Sequence, residues 1–273
     1  MNEVHNYKKI GFIGSGNMGS AMIGGIIAAG LVPADHFTAS AKTQATLVKL
    51  SAQYGICTTL DNVTVAQNSD ILFLAVKPYL YETVIREIRE SITDDTIIVA
   101  IAAGQTIERM ESLFGRKVKL VRTMPNTPAM VLEAMSAITP NENMSPEETA
   151  EIVTIFESFG KAELVPENLM DAVTGVSGSS PAYVYMFIEA MADAAVKDGM
   201  PRAQAYKFAA QSVLGAAKMV LETGKHPGEL KDAVCSPGGT TIEAVAKLEE
   251  GGLRSIVMAA QNACTAKSRD MSK

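Results

Sequence analysis

The chain has 273 residues, of which 47% are hydrophobic and 20% charged, a composition typical of a globular protein with one large or two ordinary domains. Its formal net charge of −6 and its lack of a Lys/Arg cluster argue against a nucleic-acid-binding protein, which needs a basic surface. We therefore expect a small-molecule partner and no nucleic acid.

Three cysteines, Cys57, Cys235 and Cys264, are widely spaced, and the sequence contains no CxxC motif and no Cys/His metal-ligand spacing. This pattern predicts neither a disulfide framework nor a metal site. The N-terminal residues form no apolar signal segment, and charges interrupt every apolar run before it could span a bilayer. We expect a cytoplasmic protein without a membrane partner.

A glycine-rich loop follows the first short apolar run of the chain. The order Gly14-x-Gly16-x-x-Gly19 is typical of a strand that ends in a phosphate-binding turn and leads into a helix. Gly14 permits the tight turn, Gly16 lets the backbone approach a pyrophosphate, and Gly19 lets the helix pack closely on the strand. A glycine-rich turn can also arise by coincidence, so the elements on either side must show whether this one is a dinucleotide-binding loop.

The neighbours of the loop form a βαβ pattern. We predict a strand over residues 9–13, a helix over 17–29 and a second strand over 36–40. NAD-preferring sites usually carry an acidic residue at the end of that second strand, where this chain has Ser40-Ala41-Lys42. A hydroxyl and an ammonium favour NADPH over NADH, although Lys42 could also be an ordinary surface lysine.

Alternating strands and helices continue to residue 165. The predicted elements are helices over 43–54, 106–114 and 145–159, and strands over 56–58, 71–76, 97–100, 118–122, 134–139 and 161–165. The carboxyl ends of parallel strands meet at one sheet edge, so Val76-Lys77-Pro78, Ala102-Ala103-Gly104 and residues 124–128 should converge on the cofactor. Each segment could instead be a simple turn, because Pro and Gly are common in loops.

After Glu167 the sequence is helical to its end, which predicts a dinucleotide-binding domain over residues 1–167 and a helical domain over 168–273. The helix that begins at Ser180-Pro181 is apolar nearly all round, with one polar stripe of Glu189, Asp193 and Lys197. A small helical domain cannot readily surround such a helix, so we expect it to pack against a second subunit. The alternative is a central helix within one chain's bundle.

A second anion-binding motif lies in the helical half, at Ser236-Pro237-Gly238-Gly239-Thr240-Thr241. Thr240-x-x-Glu243 predicts a capping box, so a Gly-Gly loop leads into a helix start. Helix-start N–H groups and hydroxyls suit a substrate carboxylate. The alternative is an ordinary capped helix after a turn.

The histidines offer no strong proton donor for a carbonyl oxygen. His226, the histidine of the helical half, precedes Pro227 and is predicted to be a turn or helix-start residue. A carbonyl reductase generally needs such a donor. A protonated C=N bond needs only hydride, an anchor for the carboxylate and a hydrogen bond to nitrogen, so these residues favour an imine substrate.

With these residues in view, the chain resembles the pyrroline-5-carboxylate reductases. The resemblance spans essentially the full length and rests on the motifs at residues 11–14, 75–78, 124–128, 177–183 and 236–241. It implies an α/β Rossmann-type NADP-binding domain followed by an all-α substrate-binding and dimerisation domain. It also implies a homodimer or a larger ring of dimers, NADPH as cofactor with NADH as a weaker one, and an imino-acid substrate.

The resemblance further implies roles for individual residues. Thr241 would be the catalytic residue that hydrogen-bonds the ring nitrogen, and Glu167 would lie near the substrate. The carboxylate would be gripped by Ser236, Gly238, Gly239, Thr240 and Thr241. The cofactor would be bound by Gly14, Ser15, Gly16, Asn17, Met18, Ser40, Lys42, Asn62, Val76, Lys77, Pro78, Ala103 and Asn126. Many members carry Asn-Arg where this chain has Ala41-Lys42, and Lys is a less directional phosphate ligand than Arg.

The sequence therefore predicts reduction of Δ1-pyrroline-5-carboxylate to L-proline, the last step of proline biosynthesis, by hydride transfer from NADPH to the imine carbon. Two alternatives stay open. A β-hydroxyacid dehydrogenase shares the glycine loop and a helical second domain, but its catalytic Lys has no evident match in this chain. A non-catalytic NADP-sensing regulator could use the same scaffold.

Overall fold

A computed structural model describes residues 8–272 of the chain. Its strands are β1 (Ile10–Ile13), β2 (Phe37–Ser40), β3 (Cys57–Thr59), β4 (Ile71–Leu74), β5 (Ile97–Ala100), β6 (Lys119–Met124), β7 (Ala134–Pro140) and β8 (Gly160–Leu164). They form one sheet in the order β3-β2-β1-β4-β5-β6-β7-β8. Neighbouring strands are parallel except β6 and β7, which are antiparallel.

The helices alternate with the strands up to β8 and then follow one another. The helices among the strands are α1 (Asn17–Ala28), α2 (Gln44–Tyr54), α3 (Asn62–Gln67), α4 (Tyr81–Ile88), α5 (Ile107–Phe114) and α6 (Pro146–Glu157). After the sheet come α7 (Met170–Val173), which continues into a π-helical turn over Thr174–Gly178, then α8 (Ser180–Lys197), α9 (Arg202–Thr223), α10 (Pro227–Val234), α11 (Thr240–Glu250) and α12 (Leu253–Met271).

The sheet has an apolar core on each face. Side chains of α1, α2 and α6 pack on one face, and side chains of α3, α4 and α5 pack on the other. All four residues of β1, β4 and β5 are buried, as expected for parallel strands covered on both sides. Phe12 and Phe73 are paired across β1 and β4, and their rings stack with centroids 4.4 Å apart. The N-terminal α/β fold predicted from the sequence is confirmed.

The predicted elements between residues 9 and 165 are all present, with bounds within two residues of those expected. The direction of β7 is set by the short connection from β6, a 3₁₀ turn over Thr127–Val131 followed by Leu132 at φ 62°. A parallel pair needs a long crossover connection, which this segment is too short to provide, so β7 returns antiparallel.

The chain divides into two compact units by its internal contacts. One runs through Ser179 and includes Cys264–Lys273, and the other is Ser180–Ala263. In the first unit the end of α12 contacts the segment before α8. Ser268 donates to Asp171 Oδ1 at 2.6 Å, and Cys264 Sγ lies 3.2 Å from Ser179 Oγ.

The second unit leaves apolar side chains exposed in the single chain. On α8, Ala192 is buried, whereas Tyr185, Met186 and Phe187 are 60%, 70% and 42% exposed. The alternative of a central helix enclosed by its own chain is therefore wrong, and the exposed surface fits the expected self-association. None of the helices between residues 8 and 272 is long and apolar enough to cross a membrane.

Candidate active site

The turn after β1 has the geometry of a dinucleotide-binding loop. Gly14 has φ +91°, and a Cβ at this position would lie 2.8 Å from the carbonyl carbon and oxygen of Ala75. A Cβ on Gly19, in the first turn of α1, would lie 2.8 Å from Gly14 O. Gly16 has an ordinary φ of −73°, and nothing lies within 4 Å of its Cβ position. Gly14 and Gly19 are therefore required by packing, whereas Gly16 leaves open space in front of the loop.

The start of α1 is suited to an anion. Gly16 is the N-cap and carries no side chain, so no side-chain hydrogen bond caps the helix that begins with Asn17 and Met18. Uncapped N–H groups and the positive end of the helix dipole favour a phosphate at this place. The residues present thus fit a dinucleotide's pyrophosphate.

A pocket of about 410 Å³ lies beside this helix start, within the usual size of ligand clefts. It is lined by Ser15, Gly16, Asn17, Ser20, Ala45, Thr46, Lys49, Leu50 and Gln53. Lys49 adds a cation that sequence reasoning did not single out, because a lysine on an exposed helix face has no distinguishing pattern.

Ser40 connects the glycine loop to the end of β2. Its carbonyl oxygen accepts hydrogen bonds from Gly14 N at 3.2 Å and from Ser15 Oγ at 2.9 Å. Its hydroxyl donates to Asn62 Oδ1 at 2.7 Å, and Asn62 Nδ2 donates to Glu87 Oε2 at 2.9 Å. Predicted cofactor residues from three segments are thus brought together in one hydrogen-bonded chain.

The two groups expected to receive a 2′-phosphate differ in accessibility. Ser40 is 1% exposed and its hydroxyl proton is used by Asn62, so its present role is to hold the loop. Lys42 is exposed just beyond β2. The accessible positive group at this edge is therefore the lysine.

The ends of β4 and β5 lie side by side, because Leu74 pairs with Ala100 at the last position of the ladder. Val76 is next to the glycine loop, since a Cβ on Gly14 would approach its Cγ1 to 2.8 Å. Lys77 is exposed and precedes a 3₁₀ turn over Pro78–Leu80, while Ala103 is partly buried beyond β5. The predicted convergence of these segments at one sheet edge is what the fold produces.

Tyr81, at the start of α4, is a residue of this edge that sequence reasoning missed. It is 1% exposed, and its hydroxyl donates to Leu74 O at 2.6 Å and accepts from Ile101 N at 3.1 Å. The amphipathic pattern of α4, with Val84 and Ile85 also buried, could have indicated that Tyr81 faces the core. The partners of its hydroxyl could not be read from that pattern.

Asn126 holds the bend after β6. Its Nδ2 donates to Ser177 O at 3.0 Å, and its Oδ1 accepts from Met135 N at 3.0 Å. The side chain is 8% exposed, so these bonds are shielded from water. Asn126 thus joins the strand end to β7 and to the π-helical turn, and its contact with a cofactor stays a prediction.

Glu167 is engaged in an ion pair. Its Oε1 accepts from Arg122 Nη1 at 2.9 Å and from Ile107 N, at the start of α5, at 2.8 Å. The Arg122 side chain is 6% exposed and that of Glu167 is 33% exposed. The carboxylate therefore compensates a buried guanidinium, and its predicted place near the substrate stays a prediction.

The second predicted anion motif, in the other unit, forms a tight turn. Gly239 N donates to Ser236 O at 3.0 Å, and Gly238 has φ +66°. Pro followed by a glycine of positive φ is the signature of a type II turn. A Cβ on Gly239 would lie 2.4 Å from Ser236 Oγ, so the serine hydroxyl lies directly against the glycine backbone.

The capping box predicted at Thr240 and Glu243 is not formed. The N-cap of α11 is Gly239, with φ −83° and ψ 170°, and no side chain of the described chain caps it. Thr240 and Thr241 are therefore the first residues of the helix, because the extended glycine takes the cap position. The helix α11 therefore begins, like α1, after a glycine and without a side-chain cap.

His226 has the structural role predicted for it. It is the N-cap of α10, and its Nδ1 accepts from Gly228 N at 3.0 Å. In the part of the chain that the structure describes, no three His, Cys, Asp or Glu side chains come together in a way that could hold a metal ion.

Comparison with known proteins covers both halves of the chain. A family model described as pyrroline-5-carboxylate reductase dimerisation matches residues 167–271, and one described as NADP oxidoreductase coenzyme F420-dependent matches residues 9–104. The pyrroline-5-carboxylate reductase of Escherichia coli is 54% identical over 266 residues, which are 97% of this chain and 99% of that protein.

Solved structures agree with these matches. A pyrroline-5-carboxylate reductase from Coxiella burnetii superposes with a TM-score of 0.90 at 33% identity, over 98% of this chain and 100% of that chain. Pyrroline carboxylate reductase from Plasmodium falciparum, solved with NADP bound, has a TM-score of 0.88 at 32% identity, over 97% and 98% of the two chains. The resemblance inferred from the motifs is confirmed, and the chain belongs to the pyrroline-5-carboxylate reductase family.

Proposed function

We propose that this chain reduces Δ1-pyrroline-5-carboxylate to L-proline with NADPH, the last step of proline biosynthesis. The observation that carries the proposal is that α1 and α11 both begin after an extended glycine without a side-chain cap. Each helix start offers N–H groups to an anion, one for a dinucleotide and one for a carboxylate. Membership of the reductase family supports this pairing of sites.

The residues of the first unit bind and orient the cofactor, which supplies the hydride. The pyrophosphate lies against Gly14, Ser15, Gly16, Asn17 and Met18. Lys42 attracts the 2′-phosphate, with Ser40 and Asn62 fixing the shape of that edge. Val76, Lys77, Pro78, Ala103 and Asn126 form the surface along the ribose and nicotinamide.

The residues around α11 hold the substrate. Ser236, Gly238, Gly239 and Thr240 bind its carboxylate through backbone N–H groups and hydroxyls. The Thr241 hydroxyl hydrogen-bonds the ring nitrogen: its oxygen accepts from the N–H of the protonated imine, and its O–H can donate to the nitrogen lone pair that appears as the amine forms. Because the imine is already protonated, the chain needs to position the ring rather than to supply a strong acid. Glu167 acts near the substrate by holding Arg122 and the start of α5.

The functional protein is a homodimer or a larger ring of dimers, in which residues 168–273 bind substrate and join subunits while residues 1–167 bind NADPH. The dimerisation family model and the exposed apolar side chains of α8 support this arrangement. The loop at residues 236–241 would complete the site of the partner subunit, so activity requires the dimer. We place the enzyme in the cytoplasm, with no nucleic-acid or membrane partner.

A steady-state assay tests the proposal. Purified protein is given NADPH or NADH with Δ1-pyrroline-5-carboxylate, and cofactor oxidation is followed together with proline formation. Oxidation with the imine and none with 3-keto acids is the expected result, with NADPH preferred. Oxidation with 3-keto acids instead would indicate a hydroxyacid dehydrogenase, and NADPH binding without any turnover would indicate a regulator.

A further inference from the structure

We propose that Tyr81 is a positioning residue that sets the spacing between the ends of β4 and β5, and with it the surface offered to the nicotinamide half of NADPH. The inference rests on the proposed function, which assigns Val76, Lys77, Pro78 and Ala103 to that half of the cofactor. These residues follow directly on the two strand ends that the Tyr81 hydroxyl joins.

The Tyr81 hydroxyl takes the place of one backbone hydrogen bond between β4 and β5. At the start of the β4–β5 ladder, Ile97 N donates to Asp70 O at 2.9 Å. Bonds between parallel strands recur every two residues, so the ladder continued to its end calls for Ile101 N to donate to Leu74 O. These are the two atoms that the Tyr81 hydroxyl bridges, at 2.6 Å to the oxygen and 3.1 Å from the nitrogen. The phenol is thus inserted into the sheet where the strands end.

The bridge keeps the strand ends apart. A direct N–H···O bond would bring nitrogen and oxygen to ~2.9 Å, whereas the bridged path contains two bonds in series. The carbonyl and amide therefore stay separated by the width of one hydroxyl. A misplacement of about 1 Å is enough to lower the rate of a positioned reaction strongly, because reacting atoms must be held close and aligned.

Tyr81 is itself firmly held. Its side chain is buried in the apolar core under β4 and β5 that also contains Val84, Ile85 and Ile88. Burial raises the pKa of its hydroxyl far above the usual value, more than the hydrogen bonds from Ile101 and Ala102 lower it. The hydroxyl consequently stays protonated and keeps its donor bond to Leu74.

A second hydrogen bond between the segments that follow β4 and β5 is weak. Gln105, which follows β5, is 4% exposed, but its Nε2 lies 3.5 Å from Pro78 O, at the limit of a hydrogen bond. Its Oε1 is buried without a hydrogen-bond partner among residues 8–272. The spacing of the two strand ends therefore depends on Tyr81 rather than on Gln105.

The test compares Tyr81→Phe with Thr96→Val. The control also loses a buried hydroxyl, but at the start of the β4–β5 ladder, where Thr96 Oγ1 accepts from Thr93 N at 3.2 Å and lies 3.4 Å from Ser69 O. For each protein we would measure kcat, the KM for NADPH, the KM for the imine, and the Kd of 2′-phospho-ADP-ribose, a cofactor fragment that lacks nicotinamide. Circular dichroism would verify that every variant is folded at the assay temperature.

For Tyr81→Phe we expect kcat/KM for NADPH to fall by roughly tenfold or more, because alignment at the nicotinamide is lost. The fragment should bind as it does to the unaltered protein, and Thr96→Val should change neither quantity. Unchanged kcat/KM in Tyr81→Phe, or an equal loss of fragment binding, would overturn the inference. If the unaltered protein did not turn over the imine, the proposed function would fail, and the comparison of NADPH with fragment affinity would still decide the role of Tyr81.

Discussion

Arg122 Nη1 lies 2.9 Å from Glu167 Oε1, and the same oxygen accepts the backbone N–H of Ile107 at 2.8 Å. One carboxylate thus connects the middle of β6, the start of α5 and the segment that follows β8. The arginine side chain is 6% exposed, so its charge depends on this partner.

Replacing Glu167 with Gln should therefore destabilise the protein by about 1–3 kcal/mol, because a nearly buried guanidinium loses its counter-charge while the partly exposed amide still accepts a bond. Urea unfolding at neutral pH measures this change. Glu163→Gln, on the exposed part of β8, is the control and should be nearly neutral. A large rise in the KM for the imine without loss of stability would contradict the structural role and favour direct substrate contact.

The glycine loop offers a matched pair of substitutions. Gly14→Ala should lower stability by more than 1 kcal/mol, roughly, because the residue has φ +91° and the added Cβ meets Ala75 backbone atoms at 2.8 Å. Gly16→Ala should fold normally, since its φ is ordinary and its Cβ enters open space. If that space holds the pyrophosphate, Gly16→Ala should still weaken NADPH binding.

Thermal unfolding and NADPH fluorescence titration distinguish the two glycines. The expected result is a stability defect in Gly14→Ala and an affinity defect with nearly normal stability in Gly16→Ala. Normal NADPH affinity in Gly16→Ala would show that the loop does not approach the cofactor closely.

Thr241 should contribute to the chemical step. Thr241→Val keeps the shape of the side chain but removes the hydroxyl, so we expect kcat to fall by roughly 10- to 100-fold while the Kd of NADPH is unchanged. Thr241→Ser restores a hydroxyl and should recover most of the rate. Unaltered imine turnover in Thr241→Val would remove the catalytic role assigned to this residue.

Lys42 should carry part of the preference for NADPH. Lys42→Met removes an exposed ammonium at the end of β2, so the KM for NADPH should rise by about tenfold while that for NADH changes little. Lys161→Met, at the opposite edge of the sheet, serves as the control for loss of one surface charge. An equal change for both cofactors would mean that Lys42 does not meet the 2′-phosphate.

The capping box at the start of α6 predicts a pH dependence of stability. Burial raises the pKa of the Glu148 carboxyl, but the hydrogen bonds from Lys119, at 2.7 Å, and from Ser145 N, at 3.0 Å, bring the net pKa below its usual value. A carboxyl whose pKa is lowered by folding stabilises the protein above its unfolded pKa, and this contribution is lost as pH falls through the folded value.

Glu148→Gln keeps a capping side chain but removes the charge, so at neutral pH we expect it to lower stability by about 0.5 kcal/mol, because solvent screens this pair. The difference from the unaltered protein should begin to shrink as pH falls through the usual carboxyl pKa of 4.5, and disappear once pH is below the lowered pKa of the folded state. Urea unfolding across this range measures it. A difference that stays constant with pH would mean that the charge contributes nothing.

Local sequence patterns were sufficient for the α/β part of the fold. The short apolar runs at β1, β4 and β5 could be recognised because strands covered on both faces are apolar at every position. Thr43, Thr106 and Ser145 cap their helices at the predicted starts, since capping depends on residues within one turn. At Thr240 the capping rule allowed two N-cap positions. The prediction of Thr240 was wrong, because the neighbouring Gly239 is the N-cap of α11.

Part of the chemistry of the site could also be predicted from local sequence patterns. The glycine spacing, the missing acidic residue at Lys42 and the Gly238-Gly239 helix start are all contained in short segments. The role of Tyr81 could not be predicted in this way, because it depends on Leu74 and Ile101. These residues lie at the ends of two strands that become neighbours only when the chain folds. Residue spacing along the chain carries no information on such a bridge.

The sequence by itself determined the order of the elements, the two glycine-led helix starts and the family to which the motifs belong, because each depends on residues close together in the chain. Only the tertiary structure decided that β7 runs antiparallel, that Glu167 neutralises the buried Arg122, and that a tyrosine hydroxyl is inserted between β4 and β5. These features join residues far apart in sequence, whose distances are fixed by packing of the whole sheet and its helices rather than by any local preference.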